Sequence, residues 1–180
     1  MGASRVPAAR WLASPNEDAR PPSAVIDTIV VHGISLPAGV FGHDTVAGLF
    51  TNRLPASNQA SMIAAAAVQV SAHLFIDRLG RLAQFVDFER RAWHAGQSSF
   101  DGRSRVNDFS VGIELEGVDD CPYAPGQYRG LAWVCRWLQQ RYPSITDQRI
   151  VSHAHIAPGR KTDPGPAFDW RWFFYELERR

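Results

Sequence analysis

The sequence predicts an α/β domain, a mixed β-sheet flanked by α-helices, and three observations point to it. Strand-like apolar runs are interleaved with segments of helical period. Two of the runs, 70–76 and 82–86, flank Asp77-Arg78-Leu79-Gly80, a hairpin signature that makes one strand pair antiparallel in a sheet otherwise joined by crossovers. The length, 180 residues with 45% apolar content, fits one core of ordinary size.

Taken in order, residues 1–24 read as an extended N-terminal arm packed on the domain, with Pro15, Pro21 and Pro22 and no apolar run of the kind a secretory leader carries. Residues 25–180 form the domain proper. The run 25–31 is β-branched, as a strand buried on both faces requires, and leads into His32-Gly33. A Gly/Pro loop follows, then a short helix with Asp44 at its N-cap and Val46, Leu49, Phe50 and Leu54 on its apolar side. Pro55 breaks it, and the small-residue tract 64–67 has no assigned state. In the stretch 109–116, Val111, Ile113 and Leu115 point one way, while Ser110, Gly112, Glu114 and Glu116 point the other. Leu131, Val134, Cys135 and Leu138 mark an amphipathic helix over 127–142, stopped by Pro143. Residues 150–151 form a short strand before His153, and 169–178 an aromatic-rich helix with Phe173 and Leu177 turned inward.

The charge balance narrows the function. Lys and Arg number 19 against 18 Asp and Glu, a net charge of +1, which lacks the electrostatic footprint of a nucleic-acid or anionic-membrane binder. No stretch approaches the ~18 apolar residues of a membrane span. Cys121 and Cys135 are too few for a disulfide framework and lack the spacing of a thiolate metal site. A cytoplasmic protein is the expectation.

The chemistry concentrates in two places. His32 closes the first buried strand, and the segment 152–166 crowds His153, His155, Lys161 and Asp163 among glycines and prolines without helical or strand period. Loops of that composition place side chains, and Pro164 stiffens the backbone at Asp163. Singly, each feature has an ordinary reading: a hydrogen-bonded core histidine, a surface His-x-His, an Asp-Pro turn. Together they match a catalytic zinc site, which takes three nitrogen or oxygen ligands and keeps one position open. A carboxylate on the polar face of an inner strand is costly unless paired or at work. Glu114 and Glu116 both sit there, and spacing alone does not choose between them, nor between His153 and His155.

Five separated segments, in order, carry a family resemblance: Val30-Val31-His32, Val70-Ser71-Ala72-His73, Arg91-Ala92-Trp93-His94-Ala95-Gly96, 107–114 ending in Gly112-Ile113-Glu114, and Arg160-Lys161-Thr162-Asp163-Pro164-Gly165. With these the chain resembles the zinc-dependent N-acetylmuramoyl-L-alanine amidases of the type-2, peptidoglycan-recognition-like fold, above all their cytosolic anhydromuramyl-peptide branch. The resemblance implies Zn2+ held by His32, His153 and Asp163, with Glu114 as general base and Lys161 stabilising the oxyanion. It implies hydrolysis of the amide between 1,6-anhydro-N-acetylmuramic acid and L-alanine during peptidoglycan recycling, by a monomer acting on a small muropeptide. Trp93 and His94 would offer a flat wall for the sugar, and Arg105 a fork for a stem-peptide carboxylate. His73 matches a family histidine near the site. Gly33 and His155 depart from the usual pattern, where Asn and a smaller polar residue are common.

Two other classes compete: a non-catalytic peptidoglycan-binding module, disfavoured by the intact ligand set, and a structural-zinc protein, which would need His155 as a fourth ligand. An amidase acting on intact peptidoglycan is the alternative within the family.

Overall fold

The computed structural model describes residues 5–179. In chain order its strands are β1 (Arg10–Trp11), β2 (Glu17–Ala19), β3 (Thr28–Ile34), β4 (Leu74–Ile76), β5 (Leu82–Gln84), β6 (Arg90–Ala92), β7 (Ser99–Phe100), β8 (Arg103–Ser104), β9 (Ser110–Glu116) and β10 (Ile150–Ser152). Its helices are α1 (Thr45–Phe50), α2 (Ala60–Ala66), α3 (Pro125–Arg141), α4 (His153–Ile156) and α5 (Trp170–Glu178). Six strands pair in the order β1-β5-β4-β9-β3-β10, and β2–β6 and β7–β8 make two small antiparallel ribbons. Within the large sheet every pair is parallel except β4–β5, the hairpin expected around 77–80. The mixed sheet flanked by helices is therefore the observed architecture.

Alternation along the central strands sorts the core into two sides. Ile29 and Val31 of β3 and Val111, Ile113 and Leu115 of β9 bury their side chains with Leu131, Val134, Cys135 and Leu138 of α3 and Phe173 and Leu177 of α5. Pro125 starts α3, where the Gln127 side chain accepts from Ala124 N and donates to the carbonyls of Ile76 and Glu116, locking the helix onto β4 and β9. Asp169 caps α5 by accepting from Trp172 N. Under the β4–β5 hairpin, Val46, Leu49 and Phe50 of α1 and Met62 of α2 form a second cluster with Phe75 and Phe85. The unassigned tract 64–67 thus belongs mostly to a helix.

Several boundaries differ from the sequence reading. The first strand begins at Thr28, three residues late, because its pairing partner β9 begins at Ser110; Val25 lies outside, 58% exposed. The same pairing carries β3 on through Gly33 to Ile34. Asp44 occupies the N-cap position of α1 without using its side chain as a cap. The polar side of β9 is buried along its whole length, so Glu114 and Glu116 do not form a solvated face. Among the described residues no helix is long and apolar enough to cross a membrane.

The arm is knitted into the fold. β1 adds an edge strand to β5, and β2 pairs with β6. Between arm and domain, Arg20 is half-buried and donates to the carbonyls of Phe88, Asn107, Asp108 and Ser110; burial lowers its pKa to about 10. Arg20→Ala would strand these acceptors away from water, at a cost of ~3 kcal/mol or more. The expected fall in Tm is on the order of 10 °C in a thermal melt, and a fall of a degree or less would show that the arm is only loosely attached.

Candidate active site

Register sets the first contacts. β3 and β9 place His32 opposite Glu114, and β3 and β10 place Val31 opposite Ser152, so His153, the next residue, comes level with His32. All three strands are parallel, and these side chains emerge at their carboxyl ends, the place where open α/β sheets bind ligands. Ser152 turns the chain into α4 by accepting from His155 N. The return segment then brings in Asp163, whose carbonyl accepts from Ala154 N.

The side chains converge closely. His32 Nδ1 lies 2.9 Å from His153 Nδ1, and Asp163 Oδ2 is 3.2 Å from the first and 3.1 Å from the second. His32, His153 and Asp163 form a group that could hold a metal ion. Glu114 Oε1 stands 3.9 Å from His32 Nδ1, and Glu114 Oε2 is buried with no hydrogen-bond partner among the described residues. His153 Nε2 faces the Ala95 carbonyl at 3.1 Å. A carbonyl only accepts, so that nitrogen carries the proton and His153 Nδ1 presents a lone pair to the cluster. Two imidazoles and a carboxylate suit zinc, and three protein donors leave a position open, as in catalytic rather than structural sites.

Burial governs the electrostatics. It pushes His32 down to about 4, with Asp163 opposing. Glu114 is raised well above its ordinary value, first by burial and then by the Asp163 charge, while Lys161 acts the other way. Lys161 is exposed, and its ammonium is near enough to influence both Glu114 and His32.

Other residues singled out in the sequence fall elsewhere. His155 is outside the group, exposed and edge-on to Phe100 with ring centroids 5.7 Å apart. Glu116 is occupied by the backbone N–H groups of Gly42 and Arg78, which separates it from Glu114. Trp93 is half-buried and donates its backbone N–H to Ser71 Oγ; Arg105 is 69% exposed and pairs with Asp108. Among the described residues neither has a hydrogen bond, ion pair or ring contact to the cluster. His94 is no wall for a sugar: its ring is buried edge-on against His32, with centroids 5.0 Å apart. His73 accepts from Gly112 N beneath the site and stands apart from the metal group.

Two contributors escaped sequence reasoning. Tyr123 donates to the Pro164 carbonyl at 2.9 Å, bracing the residue after Asp163, and a Cβ at Gly33 would lie 2.2 Å from its hydroxyl. The glycine beside His32 therefore makes room for Tyr123. Gly112 does the same for His94, since a Cβ there would lie 2.4 Å from the His94 ring. A glycine in the middle of an otherwise well-formed strand is the signal that could have found this contact. A cavity of about 650 Å³ opens between Gly33, Ser35 and Ala38 on one side and Gly117 and Asp119 on the other, and none of the clustered side chains lines it.

Comparison with known proteins places this geometry. A family model described as N-acetylmuramoyl-L-alanine amidase matches residues 22–166. The chain is 48% identical over 165 residues to the 1,6-anhydro-N-acetylmuramyl-L-alanine amidase AmpD of Salmonella typhimurium, over 92% of this chain and 88% of that protein. A crystal structure of a selenomethionine AmpD derivative matches with a TM-score of 0.94 at 45% identity, over 98% of both chains. AmpDh3 of Pseudomonas aeruginosa, solved in complex with an anhydromuramic pentapeptide, matches with a TM-score of 0.63 at 28% identity, over 86% of this chain and 61% of that one.

The raised Glu114 carboxyl has a consequence for stability. Its folded value lies above its unfolded one, so its contribution is complete below about pH 4.5 and is lost as pH rises. Glu114→Gln removes that loss. In metal-free protein the variant should melt above wild type at about pH 8, with the difference closing toward about pH 4.5; each ~1 kcal/mol relieved raises Tm by about 2–4 °C. A Gln variant that melts below wild type at the higher pH would contradict the assignment.

Proposed function

The chain belongs to the N-acetylmuramoyl-L-alanine amidase family and is an amidase of that class; from this premise we propose that it hydrolyses, with zinc, the amide between 1,6-anhydro-N-acetylmuramic acid and L-alanine of muropeptides in peptidoglycan recycling. The observation that carries the reading is the convergence of His32, His153 and Asp163 beside a buried carboxylate with one oxygen unpaired. The similarity to AmpD supports the anhydro sugar as the substrate's acyl side. A cytoplasmic monomer is the setting this reading assigns, since such muropeptides are small and diffusible.

In this reading His32, His153 and Asp163 hold the zinc. When bound, zinc polarises the amide carbonyl and makes a water-derived nucleophile available near neutral pH. Glu114 supplies the base. Its unpaired Oε2 accepts the proton of the attacking water, and the raised basicity conferred by burial suits both that step and the return of the proton to the departing L-alanine nitrogen. Lys161, exposed and near enough to act on the charges of Glu114 and His32, offsets the negative charge that develops on the former carbonyl oxygen. Trp93 and Arg105 are proposed to contact the sugar and the stem peptide at the periphery.

Zinc content and release of L-alanyl peptide from anhydromuropeptide, measured for wild type, Glu114→Gln and Lys161→Ala, test the proposal. All three should carry one zinc per chain. Wild type should turn over, the Lys161 variant should be slower by about 10²–10³-fold, and the Gln variant should be inactive. Turnover by Glu114→Gln at the wild-type rate would remove Glu114 from the mechanism, and a wild type that takes up no zinc would overturn the proposal as a whole.

A further inference from the structure

The two histidines of the metal group are held differently. His153 leans on a peptide carbonyl, which fixes where its proton sits. His32 Nε2 instead faces another imidazole nitrogen, His94 Nδ1, at 2.9 Å. Either nitrogen of that pair could donate, so the contact alone leaves open which face of His32 offers a lone pair.

The ambiguity is removed two bonds further on. His94 Nε2 lies 3.1 Å from Ser110 Oγ, and Ser110 Oγ lies 2.7 Å from the Val106 carbonyl oxygen. That carbonyl only accepts, so the Ser110 hydroxyl proton is committed to it. The Ser110 oxygen then accepts from His94 Nε2–H. A neutral His94 protonated at Nε2 has its lone pair on Nδ1, and His32 must donate to it from Nε2. His32 Nδ1 is thereby left as a lone pair, turned toward His153 and Asp163. We propose that His94 and Ser110 are positioning residues that fix the tautomer of His32, through a hydrogen-bond chain anchored on the Val106 carbonyl.

The surroundings are built for such a chain. His32, His94, Ser110 and Val106 are all buried, so water does not compete for the intermediate positions. Gly112, between Ser110 and Glu114 on the same face of β9, leaves the space that the His94 ring fills. The His94 and Ala95 backbone N–H groups both donate to Asn107 Oδ1, fixing the segment that carries the ring. Arg20 holds the Ser110 carbonyl at 2.8 Å. Partners of this kind behind a metal-binding histidine set both ring orientation and basicity.

The inference rests on His32 being a metal ligand, and the experiment separates the two ideas. ¹⁵N-histidine NMR on wild type, metal-free and zinc-loaded, reads the His94 tautomer directly. Zinc affinity is measured by chelator competition on His94→Phe, His94→Asn and Ser110→Ala, alongside melts of the metal-free forms. Expected are Nε2–H and unprotonated Nδ1 for His94 in wild type, and a loss of zinc affinity of about 10–100-fold in His94→Phe. His94→Asn, whose Oδ1 can take the place of Nδ1 as acceptor, should recover most of that loss, and Ser110→Ala should lose several-fold. A His94 protonated at Nδ1, or a His94→Phe variant that binds zinc as tightly as wild type, overturns the proposal. If His94→Phe does not fold, Ser110→Ala decides: unchanged affinity together with an unchanged His94 tautomer overturns it. A wild type that binds no zinc counts against the ligand assignment instead, while its His94 spectrum still reads the chain itself.

Discussion

Three parallel strands lie side by side, β10 ending level with Val31 while β3 and β9 run on to Ile34 and Glu116, and their register decides which side chains can meet. β9 brings Glu114 beside His32, and β10 delivers His153 on the other side. Because side chains alternate with a period of two, a slip of one residue in either pairing would send the partner to the opposite face, among Val111, Ile113 and the α3 core. The apolar alternation that buries that face therefore also fixes the polar one. Sheet packing and the placing of His32, Glu114 and His153 are one constraint, while Asp163 and Lys161 come from the segment that follows α4.

What converges there is unfavourable for an unassisted protein. A buried carboxylate, two imidazoles and a second carboxylate lie within a few ångströms, and Glu114 keeps one oxygen unpaired. Isolated buried groups of this kind cost free energy that the rest of the fold must offset. The offsetting structure is visible around the site: the α3–α5 layer with Cys135 and Phe173 fully buried, Tyr123 bracing Pro164, and Arg20 tying the N-terminal arm to the loop before β9. Strain in polar placement is balanced by apolar packing on the far face of the same strands.

Much of this was legible in the sequence, and for identifiable reasons. The alternation of Val111, Ile113 and Leu115 located β9, and the period of Leu131, Val134, Cys135 and Leu138 located α3, because both faces of the contact obey simple periodicities. Glu114 and Glu116 were indistinguishable, since they share a face. The difference arises from Gly42 and Arg78, two distant backbone donors that occupy Glu116 alone. His153 and His155 were likewise inseparable until the capped turn of α4 pointed one inward and left the other against Phe100. His94 was misread as a surface because it lies in a segment without periodicity, and its true neighbour, Gly112, is far away in sequence. Contacts set by long-range register or by a missing side chain leave little local trace.

In the proposed enzyme, sheet register presents the Nδ1 atoms of His32 and His153, with the Asp163 carboxylate, to a single zinc ion. A crystal structure of zinc-loaded protein with anomalous diffraction at the zinc edge tests it most directly. One strong anomalous peak is expected about 2.0–2.1 Å from both Nδ1 atoms and about 2.0–2.2 Å from an Asp163 oxygen, with His155 remote from it. A peak bound through Nε2 of either histidine, or one that recruits His155 as a fourth protein ligand, would contradict it.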